Sequence, residues 1–450
     1  MPRRIIIVGA NAAGINAASA ARKTDREAEI TLIERGKYPA YSRCGLPFVL
    51  SGEIPSFEDL IIFPPSYYKM MKLDLQTETT VRSVDSKEKK VQVESKDGTE
   101  ESIKYDSLVL ATGAHPFIPP IKGCNKSCVF PLRTIEDGKI VQEALKDTRS
   151  AVVIGAGLIG LEAAHAFVEK GIDVTVVEIL PQVLPGMLDE DIANAFQNEV
   201  EKHSVRVILE RGVDEVLGED RVNGVLVAGE KVDADLIVLG TGVRPSTELA
   251  SQMGVEIGVS RGIKVNQQMM TNVPDVYAAG DCDESYSLIN GQPCLCQLGT
   301  TAVRQGKVAG INAAGGHDAF KGVLGSAVSR MFNTEVGATG LTEFSAGRAG
   351  LKTVSGGLTA KTKAEYFPGA KEIKVKITAD QELGRILGGQ IIAGEDVAQR
   401  INMISLAIEN KMTVWELAKA DTCYAPPVAE TWEVVALAAE VVSRRMKKYA

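Results

Sequence analysis

Two glycine-rich runs carry the clearest chemistry in the chain. Gly9-Ala10-Asn11-Ala12-Ala13-Gly14 follows the apolar residues Ile5 to Val8, and Gly155-Ala156-Gly157-Leu158-Ile159-Gly160 follows Ala151 to Ile154. Glycines at these spacings allow a tight turn and let a pyrophosphate approach a helix N-terminus, where free N–H groups and the dipole favour anions. Helices are predicted to about Lys23 and about Lys170, the second ending at Gly171. Strands are predicted at Glu29 to Ile33 and Val174 to Val177, each closing on an acid, Glu34 and Glu178. Glu34 lies about 20 residues beyond Gly14, the interval at which a carboxylate accepts from a ribose hydroxyl. Asn11 replaces the middle glycine of the first run, and that run alone would also fit a plain glycine turn. Two such units in one chain point to two dinucleotides.

Cys44 supplies the second chemistry. It sits in Tyr41-Ser42-Arg43-Cys44-Gly45-Leu46-Pro47-Phe48, directly after the first acid-terminated strand. Pro47 suits a first helical turn, which would set Cys44 at a helix N-terminus, where the dipole favours thiolate over thiol. The alternative is a small buried apolar side chain. Positions 39 and 49 are Pro39 and Val49, so no Cys-x₄-Cys pair exists and the sulfur must cycle with an external partner.

The elements that position these groups repeat. Tyr105 to Ala114 echoes Asp233 to Gly242: an apolar strand ending in Thr112-Gly113 or Thr241-Gly242. Each would close one unit. A third stretch, Thr271 to Asp281, runs through Val276-Tyr277-Ala278-Ala279-Gly280-Asp281. Toward the C-terminus, Ile373 to Ile377 and Ile386 to Ile392 read as strands before a helical tail.

Composition sets the bounds. The chain has 450 residues, 45% apolar and 24% charged, with net charge −8. That is a multidomain globular protein, not a disordered one, and its acidity argues against nucleic-acid binding. No apolar run is long enough to span a membrane. The start resembles a signal peptide, but its apolar run is short and broken by Gly9 and Asn11, so a strand and a cytoplasmic location are expected. Seven cysteines in a long chain do not make a disulfide scaffold. Cys124/Cys128 and Cys294/Cys296 lack metal-knuckle spacing, so no metal is expected. The four histidines, His115, His165, His203 and His317, receive no role.

Together these segments resemble the pyridine nucleotide-disulfide oxidoreductases, in the single-cysteine branch with coenzyme A-disulfide reductase, NAD(P)H persulfide reductase, NADH oxidase and NADH peroxidase. The resemblance implies an α/β fold with two Rossmann-like domains and a C-terminal α+β dimerisation domain. FAD would occupy a discontinuous domain, 1–115 and 245–325, NAD(P)H the domain 116–244, and residues 326–450 the interface of a homodimer. It implies FAD binding by Gly9, Ala12, Gly14, Glu34, Arg35, Arg43, Val81, Ala111, Thr112, Gly113, Gly280, Asp281 and Ala302. NAD would be bound by Gly155, Gly157, Leu158, Ile159, Gly160, Glu162, Glu178 and Gly242, with Glu162 orienting the carboxamide. No Lys or Arg lies between Ile179 and Glu190 to receive a 2′-phosphate, so NADH is expected over NADPH. Leu158 stands where many relatives carry an aromatic gate, which implies a more open nicotinamide pocket.

Two further segments, Glu365-Tyr366-Phe367-Pro368-Gly369 and Cys423-Tyr424-Ala425-Pro426-Pro427, are similar to coenzyme A-disulfide and persulfide reductases. There, two tyrosines reach across the dimer interface. Tyr366 and Tyr424 would then protonate a leaving sulfur beside Cys44, or else simply pack at the interface. Coenzyme A, as substrate or bound ligand, needs cations for its phosphates. Arg22 matches a family contact and Lys69 and Lys72 lie near another, with solvated surface as the alternative. Peroxidase and oxidase members carry a histidine where this chain has Ala12, which disfavours peroxide and oxygen chemistry. Cys423 is not part of the family pattern; it would be either a resolving or a packed thiol. The expected activity is reduction of coenzyme A disulfide, coenzyme A persulfide or polysulfide through Cys44. The alternatives are an NADH oxidase or peroxidase of the same fold, or a flavin-loaded redox sensor with little turnover. The chain's end leaves no room for a rhodanese-like domain, so a persulfide is expected to arrive from outside.

Overall fold

The structure is a computed structural model that describes residues 1–446. It divides into two compact units: Met1–Phe117, Arg133–Lys139 and Val243–Val323 form the first, and Ile118–Leu132, Ile140–Gly242 and the chain from Leu324 onward form the second.

The first unit is built on a parallel sheet in the order Val276–Ala278, Ser107–Leu110, Arg4–Val8, Glu29–Ile33, Leu73–Gln76. Ile5, Ile6 and Ile7 are buried on both faces, as expected where helices cover a parallel sheet. The helix Ala12–Thr24 presents Ala13, Ala17, Ala18 and Ala21 to the core and packs on the helix Gly299–Ala313. Small side chains let the two axes approach closely, and that fixes how the first glycine turn meets the sheet. An antiparallel meander, Thr79–Asp85, Lys90–Ser95 and Glu100–Lys104, adds a further layer.

The second unit repeats the plan. Its parallel sheet runs Arg206–Ile208, Asp173–Val177, Ser150–Ile154, Leu236–Leu239, Val129–Pro131. The strand order matches the first sheet, except that the outer strand comes from before the unit's first strand rather than after its fourth. The C-terminal part is an antiparallel sheet ordered Ala327–Met331, Thr334–Gly340, Ile386–Ala393, Glu372–Asp380, Thr353–Lys361. Helices Val397–Glu409 and Val434–Met446 pack on it through apolar faces. Buried Lys376 ties this sheet to the start of the helix Glu190–Lys202, meeting Asp189 at 3.2 Å, Asp191 at 2.8 Å and Glu343 at 2.9 Å. The α/β class with two Rossmann-like units and an α+β C-terminal part is as the sequence implied. The strands expected at Ile373 to Ile377 and Ile386 to Ile392 lie inside Glu372–Asp380 and Ile386–Ala393. Among the described residues no helix is long and apolar enough to cross a membrane.

Candidate functional site

The two glycine turns are built alike, and each is locked by its acid. Glu34 accepts from the N–H of Ala10 and of Gly36, both at 2.9 Å. Glu178 accepts from Ala156 at 2.8 Å and Leu180 at 2.9 Å. Each carboxylate thus bridges its strand end to the residue after the first glycine, and its remaining lone pairs are open to a ribose. A Cβ on Gly14 would lie 1.7 Å from the Gly9 carbonyl, and one on Gly160 2.0 Å from that of Gly155, so both turns admit only glycine there. Asn11 has a reason of its own: its side-chain oxygen accepts from Ala12 N–H and caps the helix, with backbone φ −97° that needs no glycine.

A cavity of about 730 Å³ opens beside the first turn. Of the residues expected to hold FAD, Gly9, Ala12, Glu34, Arg35, Arg43, Val81, Ala111, Thr112, Gly113, Gly280, Asp281 and Ala302 line it; Gly14 lies beneath, in the turn. Cys44 lines the same cavity and is exposed. As the sequence suggested, Pro47 lies in the first turn of a helix, Leu46–Ser51, and Cys44 stands at its N-terminal end, in a 3₁₀ turn, Arg43–Gly45, that leads directly into it. A Cβ at Gly45 would meet the Leu60 side chain.

The cavity suits a dinucleotide in its donors. Asn11 Nδ2, Arg43 Nε and Arg133 Nε are buried and have no partner within the chain. All three residues line the cavity, and all three atoms are donors, so the group that completes them is rich in acceptors. Arg133 also makes a 2.5 Å ion pair with Asp281, both side chains largely buried. The Asp281 carbonyl accepts from Gln297 Nε2 at 3.1 Å.

In the second unit Gly157 caps the helix Leu158–Val168, which carries Leu158, Ile159, Gly160 and Glu162. Glu162 is nearly buried, and Ser329 Oγ donates to it at 2.5 Å. Burial pushes its carboxyl up to about 7, against the opposing pull of the Ser329 hydroxyl. Gly242, in a left-handed turn of φ +86°, follows the strand Leu236–Leu239. At the corner of Glu178, Arg211, from a loop distant in sequence, donates its backbone N–H to the Glu178 carbonyl at 3.2 Å, while its guanidinium donates to the Glu210 carbonyl.

Tyr366 and Tyr424 also lie in this unit, exposed, with hydroxyl oxygens 2.9 Å apart. The hydrogen bond shared with Tyr424 holds the Tyr366 phenol above its usual range. Cys423 beside them is exposed.

The three cations expected to meet coenzyme A divide. Arg22 donates four of its five N–H groups to main-chain carbonyls, Met71, Lys72, Arg26 and Asp25. It therefore staples the loop at 71–72 to its helix. Arg22 and Lys72 both line a cavity of about 400 Å³ together with Lys23, Arg26, Met70 and Met71, and Lys69 lies outside that lining. Among the described residues no cluster of three or more His, Cys, Asp or Glu could hold a metal ion.

Comparison with known proteins fits this geometry. The family described as pyridine nucleotide-disulphide oxidoreductase matches residues 3–306, and its dimerisation domain matches residues 327–436. The chain belongs to this family. Among similar oxidoreductases, an NADH oxidase of Methanocaldococcus jannaschii is 45% identical over 98% of this chain and 99% of its own. An NAD(P)H coenzyme A polysulfide/persulfide reductase of Pyrococcus horikoshii is 34% identical over 98% of this chain and 99% of its own. The solved structure of an NAD-dependent persulfide reductase from A. fulgidus has 34% identity and a TM-score of 0.96, covering 99% of this chain and 84% of that one.

Sequence reasoning passed over several residues of this oxidoreductase. Asn11 could have been found from its place in the glycine turn. Arg133, Gln297 and Arg211 had no local signal, since each reaches its site from a segment remote in sequence.

Proposed function

We propose that the protein is an FAD-dependent NAD(P)H oxidoreductase that reduces coenzyme A disulfide, coenzyme A persulfide or polysulfide through Cys44, working as a homodimer. The observation that carries this reading is the sharing of one cavity by Cys44, the first glycine turn and Asp281. The cavity's unpartnered donors Asn11, Arg43 and Arg133 and the ribose-ready Glu34 fit FAD. Bound there, FAD supplies the two-electron relay from NADH to sulfur.

The chain's own residues do the rest. The Cys44 thiolate attacks one sulfur of R–S–S–R, forming Cys44–S–S–R and releasing RS⁻. Two electrons and a proton then return Cys44 to thiolate and release RSH, so one NADH and one proton yield two thiols. With a persulfide, R–S–S–H, the first product is hydrosulfide. The Tyr366–Tyr424 pair, contributed across the dimer interface by the partner subunit, gives the departing sulfur its proton: one hydroxyl donates within the pair, and the other proton stays available. Lys23, Arg26 and Lys72 give the smaller cavity the positive charge that coenzyme A phosphates need. Glu178 accepts from the ribose of NADH through lone pairs its two backbone bonds leave open.

An NADH oxidase is the second reading, favoured by the 45% identical relative of that name. Ala12, in the same cavity as Cys44, offers no side-chain donor to a sulfenic acid, which supports the sulfur substrate. The test is anaerobic NADH oxidation with coenzyme A disulfide and with coenzyme A persulfide, set against oxygen uptake. Release of thiol or sulfide at one turnover per NADH, with oxygen consumed at under a tenth of that rate, is the expected outcome. Rapid oxygen reduction to water with no thiol release would replace this reading with the oxidase.

A further inference from the structure

A fully enclosed acid stands two residues beyond the Asp281 turn, and the scheme above does not use it. Asp283 is 3% exposed at the start of the strand Asp283–Tyr286. Its Oδ1 accepts from Gln305 Nε2 at 3.1 Å, and its Oδ2 is buried with no partner. Gln305, from the helix Gly299–Ala313, is wholly buried. Its Nε2 also donates to Ser285 Oγ at 2.9 Å, and its Oε1 accepts from Gly280 N–H at 2.9 Å. Gly280 has φ +92° and lines the large cavity beside Asp281.

These contacts fix which way an amide points. Two acceptors, Asp283 Oδ1 and Ser285 Oγ, claim the Gln305 NH₂ group, so the carbonyl must face Gly280. A flipped amide would set NH₂ against the Gly280 N–H, donor to donor. We propose that Asp283 is a positioning residue for the flavin site: it keys Gln305 so that its carbonyl holds the Gly280–Asp281 turn, and with it the Arg133–Asp281 pair, in the geometry that receives FAD.

The keying needs an acceptor and no charge. A buried carboxylate with one neutral donor and one empty oxygen is unfavourable, so Asp283 keeps its proton. Burial pushes its carboxyl well above the usual range, and nearby Asp281 and Glu284 push the same way against the Gln305 hydrogen bond. The other titratable groups near it, Cys282, Cys294 and Cys296, are themselves raised by burial. Asparagine can therefore replace Asp283, whereas an apolar residue cannot.

The proposal rests on FAD binding in the large cavity, and the experiment separates the two claims. Wild-type protein is stripped of FAD and titrated with FAD; failure of the wild type to rebind would sink the flavin assignment itself. With rebinding in hand, Asp283→Asn, Asp283→Leu and Gln305→Met are compared for FAD Kd, flavin visible spectrum and midpoint potential. Asp283→Asn should match wild type within twofold in Kd and show no shift in midpoint potential. Asp283→Leu and Gln305→Met should each weaken FAD about tenfold and alter the flavin spectrum, and the double variant should be no worse than either alone. If Asp283→Leu does not fold, Asp283→Asn and Gln305→Met carry the test. A rise in potential in Asp283→Asn, the mark of a lost negative charge, would overturn the proposal. So would wild-type FAD affinity in Gln305→Met, or additive losses in the double variant.

Discussion

Glu162 makes the stability of this protein depend on pH in a calculable way. Its carboxyl is nearly buried and titrates at about 7, raised from 4.5 by burial, with the Ser329 hydroxyl as the single opposing contribution. The folded state therefore holds the proton more tightly than the unfolded chain. Between pH 4.5 and 7 stability falls as pH rises, and above about 7 the loss is complete. Holding a proton to about pH 7 instead of 4.5 corresponds to about 3 kcal/mol. Glu162→Gln removes the ionisation while keeping an oxygen to accept from Ser329. Urea unfolding of the FAD-loaded protein without NADH reads the difference. At pH 4.5 the variant and wild type should agree closely. At pH 8 the variant should be more stable by about 3 kcal/mol, a midpoint about 1 M higher for an m-value near 3 kcal/mol/M. A variant that loses as much stability as wild type between pH 4.5 and 8 would refute the reasoning, because the ionisation cost would then lie elsewhere.

Tyr424→Phe, which leaves Tyr366 without its hydroxyl partner at 2.9 Å, should slow disulfide turnover by about 10²-fold and leave NADH oxidation by artificial acceptors within twofold; equal slowing of both in steady-state assays would remove the acid role. NADH should exceed NADPH in kcat/KM by at least about tenfold if, as proposed, Glu178 at the end of the strand Asp173–Val177 meets the adenosine ribose. Arg211, whose backbone N–H bonds the Glu178 carbonyl, brings a cation into the neighbourhood of Glu178, so Arg211→Glu should raise KM for NADPH and leave KM for NADH unchanged; comparable efficiencies in the wild type would contradict the first statement, and an unchanged NADPH KM in Arg211→Glu the second.

The glycine turns were legible because few residues can do what they do. A strand, a turn whose Gly14 or Gly160 leaves no room for a Cβ, and an acid about 20 residues on are local features with one physical solution. The parallel sheets followed from runs such as Ile5 to Val8, apolar on both faces. Contacts between segments far apart in the chain were not legible. The sequence marks Arg22 as a coenzyme A contact or a solvated surface cation, but says nothing of the four carbonyls its guanidinium meets once the loop at 71–72 folds back. Arg133 precedes the second glycine turn by 22 residues, yet it packs in the first unit against Asp281. The Gln305–Asp283 contact joins a helix to a strand across a buried layer, and nothing in either segment alone announces it. The helix after Cys44 was legible from Pro47, which stands in its first turn.

Rapid-mixing kinetics of Cys44→Ser put the central claim to its most direct trial. NADH is mixed anaerobically with the FAD-loaded variant, flavin bleaching is followed, and coenzyme A disulfide is then added while thiol release is recorded. If the sulfur at position 44 carries the reduction, bleaching proceeds within a fewfold of wild type and no thiol appears. Thiol release at the wild-type rate from the serine variant would contradict the account.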